Sequence, residues 1–266
     1  MCNSVQRKWL VPDRLLNFAG LPLLAVYGFS MLAFPWLAPG ANWAYVQAVW
    51  DRWQTLNTGA LAFLASVVAF NIARSNSEEQ RERDFSASKA FLPSTLSTLM
   101  VYCAQCARVF EALWQAEGQR RKPMSYVSPP DGYREVFSNC IRHASPEVGA
   151  YLVRILVLMQ LHDARLHDAI QREPGGDERV IDRYTLLAYV LRLGELYALL
   201  GGLFGFARSE ESFTSKELTW DELQSAYRVM GLEIDDLYID KNMNLEAFSR
   251  RWLARMKNDS SSFFAG

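Results

Sequence analysis

The alternation of apolar and polar positions changes character near residue 74. From Leu15 to Leu37 about 23 consecutive residues carry no formal charge, and a second uncharged apolar run of about 21 follows from Trp53 to Ala73. Each run is long enough to cross a hydrocarbon core of roughly 30 Å as a helix, so the pattern predicts two transmembrane helices. Pro22 and Pro35 fall near the ends of the first run, where lost backbone hydrogen bonds are most easily tolerated. Trp36, Trp43, Trp50 and Trp53 gather about the connecting loop, as an interfacial aromatic belt does. After Ala73 the residues to Lys89 are polar and helix-favouring, which predicts that the second span continues outward as a helical stalk.

Beyond the stalk the periodicity is helical. Leu92, Leu96, Leu99, Cys103, Cys106, Phe110 and Leu113 are spaced alternately four and three apart, on one face of a helix from about Pro93 to Gly118. Proline, glycine and aspartate mark Gly118 to Tyr133 as a loop. Ser145-Pro146-Glu147 opens a helix that runs to about Arg172, where Pro174-Gly175-Gly176 stops it. Asp177 is expected to cap the next helix, Glu178 to Leu200. Thr219 to Glu222 has the form of a capping box for a helix ended by Gly231, and a last helix covers about Met243 to Lys257. Only Leu237 to Ile239 resembles a strand. The expected fold is all-α: an N-terminal flank (1–14), a two-helix transmembrane hairpin (15–73), a helical stalk (74–91) and a cytoplasmic helical bundle (92–266).

Charge sets the expected orientation. Arg7, Lys8 and Arg14 precede the first run, Arg74, Arg81 and Arg83 follow the second, and the connection carries only Arg52, so both ends are expected in the cytoplasm. A cleaved signal peptide has an apolar stretch of about 7 to 15 residues and no second span behind it, so it fits less well. A net charge of −1 gives no general attraction to nucleic acid. Arginine supplies 22 of the 28 basic residues, a bias of GC-rich bacterial genomes, which makes a bacterial inner membrane the expected location. Four cysteines facing a reducing compartment are expected as free thiols.

Tyr184 to Phe206 tests this topology, being about 23 residues and very apolar, with Arg192 and Glu195 near its centre. Its eleven Leu, Val and Phe residues favour insertion by about 3 to 7 kcal/mol and the two charges oppose it by about 5 to 7, so it is expected as the central helix of the bundle, Arg192 pairing with Glu195.

Cys103-x-x-Cys106 and Cys140-x-x-His143 together have the pairwise spacing of a zinc site, yet both members of the first pair sit on the apolar stripe, where a free cysteine behaves as a small hydrophobe. His162-Asp163 and His167-Asp168 suggest an imidazole oriented by a carboxylate, but His162 continues the stripe Leu152, Ile155, Met159, Leu166, Ile170 and reads as a core histidine with its hydrogen bonds satisfied. His167 reads as a surface partner of Asp163. Asp240 to Asn244 imitates a calcium loop, with Leu245 and Arg251 where glycine and glutamate are needed. Gly201-Gly202-x-x-Gly205 lacks the strand and spacing of a phosphate loop, and Arg120-Arg121-Lys122 reads as a solvated loop that could touch anionic lipid.

No catalytic, cofactor-binding or metal residue is therefore assigned, and no cofactor. The partners expected are the lipid bilayer and an unidentified protein, without nucleic acid; the heptad-like stripe must be buried either against the helices from Pro146 and Glu178 of the same chain or against a second copy of the chain. The expected role is a membrane-anchored, non-enzymatic interaction, scaffold or regulatory module. The alternative is an oligomeric membrane effector or channel-like assembly, suggested by the small-residue ladders Ala62, Ser66 and Ala65, Ala69, Ala73.

Overall fold

The structure is a computed structural model, and residues 26–37, 39–40, 42–116, 125–171, 182–240 and 243–263 are described. Among them the chain is all-α, with ten α-helices and one two-stranded ladder. It divides into two units, Met1–Ser77 and Glu78–Gly266. The N-terminal flank and the first run before Val26 lie outside the described residues.

In the first unit a π-helical turn, Phe29–Ala33, leads into α1 (Phe34–Leu37), and α2 spans Trp43–Arg52. Pro35 has no N–H to offer the Met31 carbonyl four residues back, and Trp50 Nε1–H donates to that carbonyl at 2.9 Å instead. The stretch expected as a connecting loop therefore contains a helix. Its signal is Asn42, whose side chain accepts from Tyr45 N as a regular N-cap. The tryptophans masked that cap, because a cluster of aromatics reads as membrane interface before it reads as helix. Trp36, Trp43 and Trp50 form a chain of ring contacts with centroids 6.0 and 6.4 Å apart. α3 then runs Gln54–Lys89 without a break. Tyr27 Oη donates to Asn57 Oδ1 at 2.7 Å, joining the middle of the first apolar run to the start of the second.

The second unit is built round α7 (Arg183–Gly202), which packs against α4 (Leu92–Gln115), α6 (Pro146–Gln171), α9 (Trp220–Met230) and α10 (Leu245–Phe263). α5 (Tyr133–His143) lies on α6, and the short α8 (Phe204–Ala207) on α4 and α7. β1 (Tyr238–Asp240) pairs antiparallel with β2 (Met243–Asn244). All seven residues of the α4 stripe are buried inside this one chain, Leu92 to Leu113 being at most 1% exposed. The stripe consequently offers no open seam to a second copy.

Three expectations need correction. α5 has no counterpart in the sequence pattern, where the loop ends at Tyr133 and no element is assigned before Ser145, although Tyr133, Phe137 and Cys140 recur at helical spacing and are buried. Gly132, at φ +78°, turns the chain into it, and at eleven residues the helix is too short to stand out from the proline-rich stretch before it. The cap of α7 is Asp182, whose side chain accepts from Thr185 N at 3.0 Å; Asp177 lies outside the described residues. The last helix begins at Leu245 and extends to Phe263. The capping box at Thr219 and Glu222 and the left-handed Gly231 at φ +81° are both present.

Candidate functional site

Among the described residues two helices are long and apolar enough to cross a membrane, α3 and the segment Arg183–Ala207, and their surroundings differ. None of the apolar window of α3 is buried, whereas 61% of the window in α7 and α8 is. Leu61, Phe63, Val68, Phe70 and Ile72 stand 56–69% exposed on opposite sides of α3, so the helix has no polar face to turn to water along this stretch. Its hydroxyls are satisfied locally: Thr58 Oγ1 donates to the Gln54 carbonyl and Ser66 Oγ to the Ala62 carbonyl, each at 2.9 Å. Surface of this kind is stable in hydrocarbon and costly in water, at about 25 cal/mol per Å² of apolar area.

Inside the bundle, α7 carries a buried charge cluster. Glu195, 1% exposed, accepts from Arg192 on its own helix and from Arg154 on α6, both at 2.7 Å. The Arg192–Glu195 pair follows from sequence spacing. Arg154, 41 residues away, does not, because tertiary pairing leaves no local signal. Arg192 also lies over the Trp252 ring, 5.0 Å from its centroid.

The cysteines with zinc-like spacing lie in the core. Cys103, Cys106 and Cys140 are buried free thiols, and among the described residues no group of three His, Cys, Asp or Glu side chains is placed to hold a metal ion. Burial pushes the Cys103 thiol well above its ordinary value and the Cys106 thiol up to about 12. Both are protonated and inert under ordinary conditions.

The histidine pair is resolved differently. His162 is 3% exposed and stands edge-on to Tyr102 on α4 and to Phe110, with centroids 5.9 and 5.7 Å away. Desolvation, with a smaller contribution from Arg165, holds it near pKa 4 and therefore neutral. The expectation of satisfied hydrogen bonds is not met. His162 Nε2 has no hydrogen-bond partner among the described residues, and the Tyr102 hydroxyl lies against the Cys106 thiol. Asp163, one residue on, accepts from the Tyr126 hydroxyl, and His167 stands edge-on to the same Tyr126 ring at 5.3 Å. Tyr126 lies in the segment read as loop, and nothing in its sequence context marks it. The arrangement holds the Tyr126 side chain on α6; it presents no nucleophile beside a base.

Of the weaker motifs, Asp240 ends β1, Met243 and Asn244 form β2 and Leu245 begins α10, so the described part of the calcium-like stretch is short strand leading into a helix; Lys241 and Asn242 lie outside the described residues. Gly201 and Gly202 are the last turn of α7, and Gly205 lies in α8. Arg120, Arg121 and Lys122 lie outside the described residues. No protein-family model, curated protein or solved structure matches the chain.

Proposed function

We propose that the protein is a membrane-anchored helical body whose first unit holds the second at the inner face of a bacterial inner membrane, where it acts as a non-enzymatic interaction or regulatory module. The observation that carries this reading is α3: about twenty uncharged residues with large apolar side chains on opposite sides, none of the window buried among the described residues. The Tyr27–Asn57 and Trp50–Met31 hydrogen bonds support a hairpin, since they satisfy polar groups within the apolar runs internally, as hydrocarbon requires. Cys103, Cys106, Cys140 and His162 lie in the core of the second unit, which fits a body that acts through its surface.

The full-length chain should stay in the membrane pellet through alkaline carbonate extraction. Phe63→Arg, at the centre of the second run, costs about 3 kcal/mol of insertion free energy and should reduce the carbonate-resistant fraction. Recovery of wild type in the soluble fraction would overturn the anchor. Site-specific photo-crosslinkers on the exposed faces of the second unit should give the same discrete adducts in native membranes each time. A channel-like assembly is weaker, since residues 53–73 contain no ionisable side chain to line a water-filled path, and reconstituted bilayers should show no conductance.

A further inference from the structure

A cleft of about 150 Å³ opens in the second unit between α6, the end of α7, α8 and the segment that follows α8. Three aromatic side chains, Tyr151, Phe206 and Phe213, stand in its wall. Phe213 meets Tyr151 edge-on with centroids 5.3 Å apart and Phe206 edge-on at 5.5 Å, both pairs at 74°, so three rings stand at successive near-right angles about one space. The chain is turned back to build this wall. Ser209 takes φ +61°, and the N–H groups of Glu210 and Glu211 both donate to the Gly205 carbonyl, at 2.9 and 3.2 Å. Glu211 is thereby laid against Gly205, where an added Cβ would lie 3.1 Å from its carboxylate oxygen.

The polar lining is acidic on balance: Glu211 and Glu222 against Lys216. The Tyr151 hydroxyl donates to the Leu199 carbonyl at 3.0 Å, which leaves its oxygen lone pairs as acceptors. Ring faces and carboxylates are the two groups that attract a soft cation, and neither suits an anion. The chain itself already places an ammonium on one of these rings, Lys89 Nζ lying 3.9 Å from the Phe206 centroid. A cavity of this volume admits a molecule of about benzene size, six or seven heavy atoms.

We propose that this cleft is a binding site for a small organic ammonium ion, of the size and charge of tetramethylammonium or choline. The cation lies among Tyr151, Phe206 and Phe213, with Glu211 and Glu222 supplying the counter-charge. The same carboxylates disfavour a phosphocholine group, so the source is the free ammonium and not a lipid headgroup. The cleft belongs wholly to the second unit, which makes the outcome independent of whether α3 lies in a bilayer.

The test is calorimetric titration of the full-length chain in a maltoside detergent with tetramethylammonium chloride and with choline chloride, against sodium chloride at equal ionic strength. Saturable binding at one site per chain is expected. The neutral carbon isostere 3,3-dimethylbutan-1-ol and the anionic analogue phosphocholine should each bind about tenfold more weakly or not at all. Phe213→Ala should weaken binding about tenfold, and Glu211→Gln, on the exposed rim where folding is untouched, should weaken it severalfold with an unchanged melting curve. No saturable heat from either ammonium overturns the proposal. Binding of the neutral isostere or of phosphocholine as tight as that of choline, or binding unchanged in both variants, overturns it equally.

Discussion

A neutral imidazole at position 162 makes the bundle sensitive to acid. The unfolded chain binds a proton at this residue near the ordinary value of 6.5, and the folded chain only near 4, because desolvation opposes the charge. Between these values the unfolded state holds more protons. Stability from this group is therefore complete above about pH 6.5 and falls as the pH drops toward 4, by about 3 kcal/mol over the interval. Denaturant melts of the detergent-solubilised chain at pH 7.5 and 4.5 should show that loss, and His162→Leu should remove most of the difference; an identical pH slope in that variant would assign the acid sensitivity elsewhere. Gly194 supports a second residue-level prediction. Its Cα side faces Tyr227, and an added Cβ would lie 2.3 Å from Tyr227 Cε1, while the phenol is held within hydrogen-bond distance of the buried Ser249 hydroxyl at 3.1 Å. The ring cannot retreat without breaking that contact. Gly194→Ala should cost about 1 to 3 kcal/mol by overpacking, and much less in a Tyr227→Leu background, as a double-mutant cycle would measure. What sequence could place among these residues was their facing. His162 lies on the apolar stripe of α6 and was expected inside. Its lack of a partner was not legible, because it depends on Tyr102 sixty residues earlier, and neither was the approach of Tyr227 to Gly194, which periodicity does not encode.

At the scale of elements, α4 shows where periodicity is enough. A 3.5-residue stripe must be covered by something, and two covers were open: another copy of the chain, or helices of the same bundle. α7, α8 and α9 cover it, so Leu99, with no exposed surface, sits in a core rather than a seam. Leu99→Asp should accordingly unfold the second unit, since a carboxylate in that apolar setting costs several kcal/mol; a folded protein of lowered oligomeric mass, seen by light scattering and circular dichroism together, would show the seam reading to have been right. The elements that were missed share a physical cause. α2 and α5 are ten and eleven residues long, each follows a turn-forming stretch, and each owes its helicity to packing and to a local start at Asn42 or Gly132 more than to a long amphipathic run. Short helices of this kind carry too few periods to be distinguished from the loops beside them. By contrast the capping box of α9 and its Gly231 stop were legible to the residue, because both ends are written in side-chain chemistry that acts within four positions.

For the whole molecule the question is which of two apolar helices lies in lipid. α3 and α7 pass the same test of length and composition, and sequence separated them only through Arg192 and Glu195. The structure supplies the missing partner. Glu195 is ion-paired to Arg154 of α6 as well as to Arg192, and the helix bearing it is enclosed by four others. Inserting α7 into a bilayer would break the Arg154 pair and strip Leu187, Val190, Leu196 and Leu200 from protein contacts that already exclude water, so insertion gains no hydrophobic free energy and loses an ion pair. α3 has the opposite balance, since none of its apolar window is buried among the described residues. The expected topology is thus two crossings and no third, with orientation set by Arg7, Lys8 and Arg14 on one side and Arg74, Arg81 and Arg83 on the other. Fusions of alkaline phosphatase and of green fluorescent protein at three points check it. A junction after Gly40 should give phosphatase activity without fluorescence, while junctions after Arg83 and at Gly266 should give fluorescence without phosphatase activity. Phosphatase activity at Gly266 alone would mean that α7 crosses the membrane and that the bundle around it is not the arrangement in the cell; activity at Arg83 and Gly266 with none at Gly40 would mean that the basic residues do not set the orientation.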